Sequence, residues 1–315
     1  MKKLISLLMV LSLLLGVCAC AAAEEKTYRV AILQLVQHEA LDAASKGFQD
    51  TLTEKLGDKV VFDYKNASGD IPTCTTIAGQ FATGYDLIMA NTTPALQACS
   101  NATADTPVLG TSVTDYSAAL EIELSDDLTT GINVSGTSDL APLDGQAAMI
   151  KELFPDAKTV GLLYCSAEAN SIYQVKVIEG YLTELGYECK RYGFNDSNDL
   201  TSVAQAATEC DVIYIPTDNT AAANTEAIAN VMIPAGKPVI AGEEGICAGC
   251  GIATLTISYY DLGCKTGELA YDILVNGADV STMPIVYAGE TVKKYNAANA
   301  EALGITIPAD YQPIE

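Results

Sequence analysis

Residues 86–98 read DLIMANTTPALQA, and residues 211–223 read DVIYIPTDNTAAA. Each stretch opens on an acid, runs through a short apolar strand and a polar cluster, and enters an alanine-rich helix start. The clusters Asn91-Thr92-Thr93 and Thr217-Asp218-Asn219 overlap in offset, with Thr92 matching Thr217. In an open α/β sheet, ligands settle just outside the carboxyl ends of the strands. Two such ends in two similar halves point to a ligand held between two domains.

Working outward, the alternation of strand and helix is regular. YRVAILQL (from Tyr28) reads as a buried strand, and EALDAASKGFQDTLTEKL (from Glu39) as an amphipathic helix ended by Gly57. VVFDYKN (from Val60) reads as a strand and PTCTTIAGQFATG (from Pro72) as a helix with proline in its first turn. After PVLGTSV (from Pro107) comes a less regular stretch from Leu124 to Asp139, and then the pattern restarts. Val30 corresponds to Val160, Gly57 to Gly186, Asp86 to Asp211 and Pro107 to Pro238, so the halves form a repeat. The tail from Ile252 breaks the repeat with a strand, a loop and a helix, then a strand from Met283 and a helix from Asn296 to Leu303. The expected fold is α/β, with two doubly wound Rossmann-like lobes and a tail that crosses between them to make a multi-stranded hinge. The expected boundaries are residues 27–118 plus 251–280 for the first lobe, and 119–250 plus 281–315 for the second.

The chain has 315 residues, ample for two domains, and its 49% hydrophobic composition is that of a globular protein. Forty acidic against 17 basic residues give a net charge of -23, which argues against nucleic acid as a partner. Lys2 and Lys3 precede an apolar run from Leu4 to Val17, the layout of a secretory signal too short to span a membrane as a helix. Small residues then lead to Cys20, which fits a lipoprotein-type signal of residues 1–20 with Cys20 lipidated; ordinary cleavage within 21–23 is the alternative. Either outcome places the mature chain outside the cytoplasm, touching the membrane by a lipid anchor at most. The mature chain keeps eight cysteines, so disulfides are allowed without any pairing being fixed. The lone CxxC at Cys247 and Cys250 lies in GICAGCG and reads as a loop; with His38 the only histidine, no metal site or cofactor is expected.

No nucleophile constellation, Walker motif or GxGxxG stands out. Strand ends instead carry hydrogen-bonding groups: Gln34 and His38; Thr92 and Thr93; Ser112, Thr114 and Asp115; Glu168, Asn170 and Ser171; Thr217 to Asn219; and Glu243. Any one of them also suits a helix cap. Taken together they suit a zwitterion. Thr92 and Thr93 at a helix start fit a carboxylate, while Asp115 or Asp218 fits an ammonium. Tyr164, Tyr259 or Tyr260 fits an apolar side chain.

The ordered set QLVQHEALDAASKGF, NASGD, ANTTPALQA, TSVTD, NVSGTSD, SAEANS, PTDNT, AGEEG and ISYYDLGCKTGELA resembles the solute-binding proteins of ABC importers with a type I periplasmic-binding fold, and within them the tryptophan/tyrosine branch. The resemblance covers nearly the whole mature chain. It implies first-lobe contacts from Gln34, Thr92, Thr93, Ser112 and Asp115, and second-lobe contacts from Glu168, Asn170, Ser171, Thr217, Asp218 and Asn219. Tyr116 departs from the family, which commonly has proline there, and so do Cys247 and Cys250.

The function expected from residues and resemblance together is an extracytoplasmic binding component. It closes on a small solute, an aromatic amino acid above others, and passes it to an ABC permease without making or breaking a bond. Two rivals stay open. One is a secreted solute sensor or nucleoside-binding lipoprotein. The other is a two-fold α/β racemase, against which Thr92 and Thr217 stand where matched thiols are needed and Cys165 has no counterpart.

Overall fold

The computed structural model describes residues 26–314, so the signal segment and Cys20 lie outside the described residues. In chain order the first half is β1 (Tyr28–Gln34), α1 (Glu39–Leu56), β2 (Val60–Asn66), α2 (Ile71–Phe81), β3 (Leu87–Asn91), α3 (Thr93–Ala102), β4 (Val108–Val113), α4 (Tyr116–Leu120) and β5 (Val134–Ser138). The second half is α5 (Leu143–Leu153), β6 (Thr159–Cys165), α6 (Ala169–Glu184), β7 (Glu188–Phe194), α7 (Ser197–Ala207), β8 (Val212–Ile215), α8 (Asn219–Ala222), α9 (Thr225–Met232), β9 (Val239–Ala241), α10 (Glu244–Gly249) and β10 (Ala253–Thr256). The tail supplies α11 (Tyr259–Asn276), β11 (Val286–Tyr287), β12 (Val292–Tyr295), α12 (Ala297–Ala302) and β13 (Gln312–Pro313).

Two sheets result, with strand orders β2-β1-β3-β4-β5-β11 and β7-β6-β8-β9-β10-β12-β13. The first five strands of each are parallel and follow the same order, so the repeat seen in the sequence is a repeat of topology. Each sheet buries apolar side chains on both faces under helices. That is why β3 and β8 read as unbroken apolar runs. The doubled acid has a structural task. Asp86 Oδ2 accepts from the Arg29 N–H at 2.8 Å, and Asp211 Oδ2 accepts from the N–H groups of Lys158 and Thr159 at 2.8 and 2.9 Å. Each acid ties the start of its lobe's third strand to the start of the first, at the end of the sheet away from the polar clusters.

The chain passes between the sheets three times: after β5, between β10 and α11, and between β11 and β12. The hinge is therefore multi-stranded as expected, but the crossings fall elsewhere than at residues 118, 250 and 280. β5 belongs to the first sheet, beside β4; β10 belongs to the second, beside β9; and β11 returns to pair with β5. β5 escapes an apolar pattern because its side chains are hydroxyls that pair. Thr137 Oγ1 meets Thr111 Oγ1 at 3.2 Å and Thr266 Oγ1 at 2.8 Å, and Ser135 Oγ donates to the Met283 carbonyl at 3.0 Å.

Two close approaches set the first lobe. α11 lies against α1 at backbone contact: a Cβ on Gly47 would stand 2.1 Å from the Tyr260 carbonyl oxygen, and one on Gly263 2.0 Å from that of Ala44. Tyr116 is buried between β4 and β5, where its hydroxyl donates to the Thr137 carbonyl at 3.2 Å. That space exists because Gly110 and Gly136 lack side chains; a Cβ on either would stand 2.4 Å from the phenol oxygen. The departure at Tyr116 thus lies in the core. The CxxC segment is also not a loop. Glu243 caps α10, which carries Cys247, and Cys250 follows directly after it. The eight cysteines among the described residues are free thiols.

Candidate ligand site between the lobes

The carboxyl ends of the strands in both sheets face one another across a narrow, nearly closed cleft whose internal space is about 10 Å³, room for about one water molecule. The first lobe contributes His38 and Leu41 from the β1–α1 turn and α1, Ser112 and Thr114 from the end of β4, and Tyr259 from the start of α11. The second contributes Asn170 from α6, Thr217, Asp218, Asn219 and Ala222 around the start of α8, and Glu243 before α10. Asp139 lies on the first hinge crossing. The lobes touch directly where His38 Nε2 stands 3.5 Å from Asn219 Oδ1 and where Gln174 Nε2 donates to Thr114 Oγ1 at 3.4 Å.

Three carboxyls in this wall are almost wholly buried, and each is held by internal donors. Asp218 accepts from the N–H groups of Cys165 at 2.6 Å and Ala221 at 2.8 Å, which fixes the end of β6 and caps α8. Glu243 accepts from the N–H groups of Gly245 at 2.7 Å and Ile246 at 2.5 Å. Asp139 accepts from Thr114 Oγ1 at 3.2 Å and the Tyr259 phenol at 3.0 Å. Burial pushes Asp139 up to about 6 against the pull of those two hydroxyls. Burial pushes Glu243 up to about 7, opposed by its two backbone donors. Asp218 is raised to about 7 by burial first and the neighbouring Glu168 carboxylate second. His38 is pulled below its usual value, chiefly by burial, against the hydrogen bond to Asn219. No lysine or arginine lines the cavity, so its charge complements a cationic group.

Buried polar atoms without a partner mark the same place. His38 Nδ1, Ser112 Oγ and Asn170 Oδ1 line the cavity; all three are buried and unmatched. Leaving such atoms unpaired costs about 1–3 kcal/mol each, so a ligand that pairs with them binds with that gain. Ser112 reaches the cavity through a break in regular pairing. The β4–β5 register shifts between Gly110 and Val113, and Ser112 adopts φ 54°. A bulge re-aims a side chain in this way. On the neighbouring strand end Thr92 adopts φ 108°, an outlier for a β-branched residue and a form of strain that collects at ligand sites.

Of the residues expected from the sequence, Ser112, Asn170, Thr217, Asp218 and Asn219 come together in this cavity. The other six sit elsewhere. Gln34 is engaged inside the first lobe, donating to Asp42 Oδ1 at 2.7 Å and the Val36 carbonyl at 2.9 Å and accepting from Ser45 Oγ at 2.7 Å. Glu168 accepts from the backbone and side chains of Asn219 and Thr220 and so braces the α8 turn from behind. Ser171 stands behind Asp218 and hydrogen-bonds to it. Thr92 caps α3, Thr93 follows it, and Asp115 caps α4 through the Ala118 N–H at 2.7 Å. The cavity is also lined by His38, Thr114 and Glu243, which the sequence reading placed among the strand-end polar groups, by Tyr259, one of its aromatic candidates, and by Asp139, which it left out. All five follow strand ends by one to four residues, which is the signal that marks them.

Comparison with known proteins gives the family. The profile of the family described as ABC transporter substrate binding protein matches residues 29–311. A curated relative, the tyrosine-binding protein of Clostridioides difficile (strain R20291), is 36% identical over 285 residues, covering 89% of this chain and 81% of its own length. The solved ABC domain of Streptococcus pneumoniae in complex with L-Trp superposes with a TM-score of 0.87 at 32% identity, over 92% of this chain and all of that one. The ligand-free, open structure of a substrate-binding protein with adhesive properties from Clostridium difficile gives 0.69 at 36% identity, over 92% and 99% of the two chains. The whole chain thus superposes better on the L-Trp complex than on the open relative, although the open relative shares more sequence. The chain belongs to the ABC transporter substrate-binding proteins, an extracytoplasmic family that binds solutes and does not transform them.

Proposed function

We propose that this substrate-binding protein closes on a single aromatic L-amino acid and presents it to an ABC permease. The observation that carries the reading is the pairing of a buried acid with unmatched polar atoms in a cavity shared by both lobes. Asp218 and Asn170 Oδ1 accept from the ligand's ammonium, and Ser112 Oγ donates to its carboxylate. Leu41, Ala222 and the Tyr259 ring supply the apolar wall for the side chain. The named ligands of the two relatives, tyrosine and L-Trp, support the aromatic class. Binding shifts the population towards the closed form, because only there do groups from both lobes reach one molecule. Anchoring through Cys20 keeps the receptor beside its permease, and the run of apolar residues before Cys20 supports that. Among the described residues no helix is long and apolar enough to cross a membrane.

The test uses the absence of tryptophan from the chain, which leaves its near-ultraviolet emission to tyrosine. L-tryptophan bound in the cleft quenches that emission by energy transfer. A thermal-shift screen over amino acids, nucleosides and sugars runs beside it. Stabilisation by aromatic amino acids alone is expected; a flat response to every amino acid ends the reading.

A further inference from the structure

We propose that Gln174 is a positioning residue for lobe closure: it holds the cleft wall at Thr217 and passes a hydrogen bond across the lobes to Thr114, which is tied in turn to the hinge. This inference rests on the reading of a receptor that closes on its solute, and it names the side chain that joins cleft to hinge.

Gln174 sits in the second turn of α6, buried, and does not itself line the cavity. Its amide is oriented by its own lobe. The Thr217 N–H donates to Gln174 Oε1 at 3.1 Å, so Nε2 is the atom turned towards Thr217 Oγ1 and Thr114 Oγ1. Thr217 lines the cavity from the second lobe, and Thr114 lines it from the first, 3.4 Å from Gln174 Nε2.

The series continues beyond Thr114. A threonine hydroxyl has one proton, and here Asp139 Oδ1 accepts it at 3.2 Å, so towards Gln174 the same oxygen acts as acceptor. Asp139 Oδ2 accepts from the Tyr259 phenol at 3.0 Å, and the Thr114 carbonyl accepts from Ser138 Oγ at 2.8 Å. Ser138 ends β5, Asp139 opens the first hinge crossing, and Tyr259 follows the second. Hydrogen bonds of consistent polarity thus run from the second lobe's cleft wall, through Gln174, into the first lobe and on to two of the three crossings.

The link between the lobes also parts without stranding a polar group. Gln174 Nε2 carries two hydrogens, and Thr217 Oγ1 is its nearest acceptor. The second hydrogen is shared among Thr114 Oγ1, the Asn170 carbonyl at 3.2 Å and the Thr217 carbonyl at 3.3 Å. When the lobes separate, that hydrogen keeps a partner in its own lobe and the Thr114 proton keeps Asp139. The bond therefore favours the closed form while leaving opening accessible.

The test is a double-mutant cycle on the kinetics of L-tryptophan binding to the full chain, followed by quenching of tyrosine emission in stopped flow. A bond made only in the closed form slows dissociation and leaves association nearly unchanged. Gln174→Met and Thr114→Val are each expected to raise koff, with kon within about twofold of wild type. The double variant is expected to fall short of the product of the two single effects on koff by about two- to fivefold, because both remove the same bond. Thr114→Ser is expected to recover most of the Thr114→Val loss. Where Gln174→Met fails to fold, Gln174→Glu takes its place in the cycle, since it keeps an acceptor for the Thr217 N–H and loses the donor. Single effects that multiply in the double variant overturn the inference and leave the amino acid reading standing, as does a loss carried by kon alone. An absent L-tryptophan signal in wild type counts against the amino acid reading, and small-angle X-ray scattering of the ligand-free chain then decides the inference. A larger radius of gyration in Gln174→Met than in wild type supports it; equal values overturn it.

Discussion

The Tyr259 phenol donates to Asp139 Oδ2 at 3.0 Å, and the two residues belong to different hinge crossings. Asp139 follows β5 on the first crossing, and Tyr259 opens α11 just after the second. One buried hydrogen bond therefore ties two of the three connections between the lobes. Tyr259→Phe removes the donor and leaves a buried carboxyl oxygen unmatched. The expected loss is about 1–3 kcal/mol of stability in the ligand-free protein, read from denaturant unfolding. A variant as stable as wild type contradicts a role for this bond in holding the hinge.

Asp218 and Asp115 were equal candidates for the ammonium in the sequence, and the structure separates them. Asp218 lines the cavity, whereas Asp115 caps α4 beside it. Asp218→Asn keeps an oxygen for the helix cap, turns its NH2 on the Cys165 N–H and loses the charge, and is expected to weaken amino acid binding by about 1.5–3 kcal/mol as well as costing stability. Asp115→Ala is expected to leave the affinity within about twofold while costing about 1 kcal/mol of stability as a lost cap. Calorimetry and urea melts on the two variants distinguish these outcomes; the reverse order of effects moves the ammonium to Asp115.

The pH dependence follows from the three raised carboxyls. A carboxyl with a folded pKa above its unfolded value binds an extra proton in the fold between the two, so it stabilises most below the unfolded value. That contribution is lost as pH rises through about 6 for Asp139 and about 7 for Asp218 and Glu243. The exposed acids Asp70 and Asp211 are shifted the opposite way by their hydrogen bonds, and their share is lost only at more acidic pH. The melting temperature of the ligand-free protein is expected to fall from pH 5 to pH 8. An Asp139→Asn/Asp218→Asn/Glu243→Gln variant is expected to flatten that slope, and an unchanged slope rules these groups out.

Tyr116 and its two glycines predict a non-additive pair. Gly110→Ala meets the phenol oxygen at 2.4 Å and the ring carbon behind it at 3.1 Å, and is expected to cost about 1–3 kcal/mol as overpacking. Tyr116→Phe removes the oxygen, so the double variant is expected to recover part of that loss. Gly136→Ala is different, because its Cβ also meets the Gly110 carbonyl oxygen at 2.1 Å and its φ is 143°. Tyr116→Phe is expected to bring no recovery there. Equal rescue at both positions contradicts the packing described.

Much of the fold was legible because buried parallel strands and their helices keep their periods, and because the acid at Asp86 and Asp211 does the same staple work twice. The failures are local and have causes. β5 hid because hydroxyl pairs replace its apolar face, and that moved the first hinge crossing from residue 118 to beyond Ser138. α10 hid under the glycines of GICAGCG, although Glu243 is its cap. At the site, a polar residue after a strand was a sound signal, but it did not say which way the side chain turns. Gln34 and Glu168 have the right chemistry, and their partners arrive from Asp42 and Ser45 in one case and from Asn219 and Thr220 in the other. Those partners use up the groups before a ligand can. Asp139 and Glu243 show the converse, since each lines the cavity even while internal donors hold it.

The glycine contact between α1 and α11 carries a consequence for the order of assembly. α11 covers the first lobe at backbone distance, yet it follows the whole of the second lobe in the chain. A polypeptide emerging from its amino end reaches Thr256 with the second lobe's five parallel strands in hand and the first lobe still lacking a helix. Long-range contacts of this kind are made late and slow the search for the native state. The lobe begun first is thus completed only after the other lobe's parallel strands are made, and it stays partly unpacked until residue 276 is free to return.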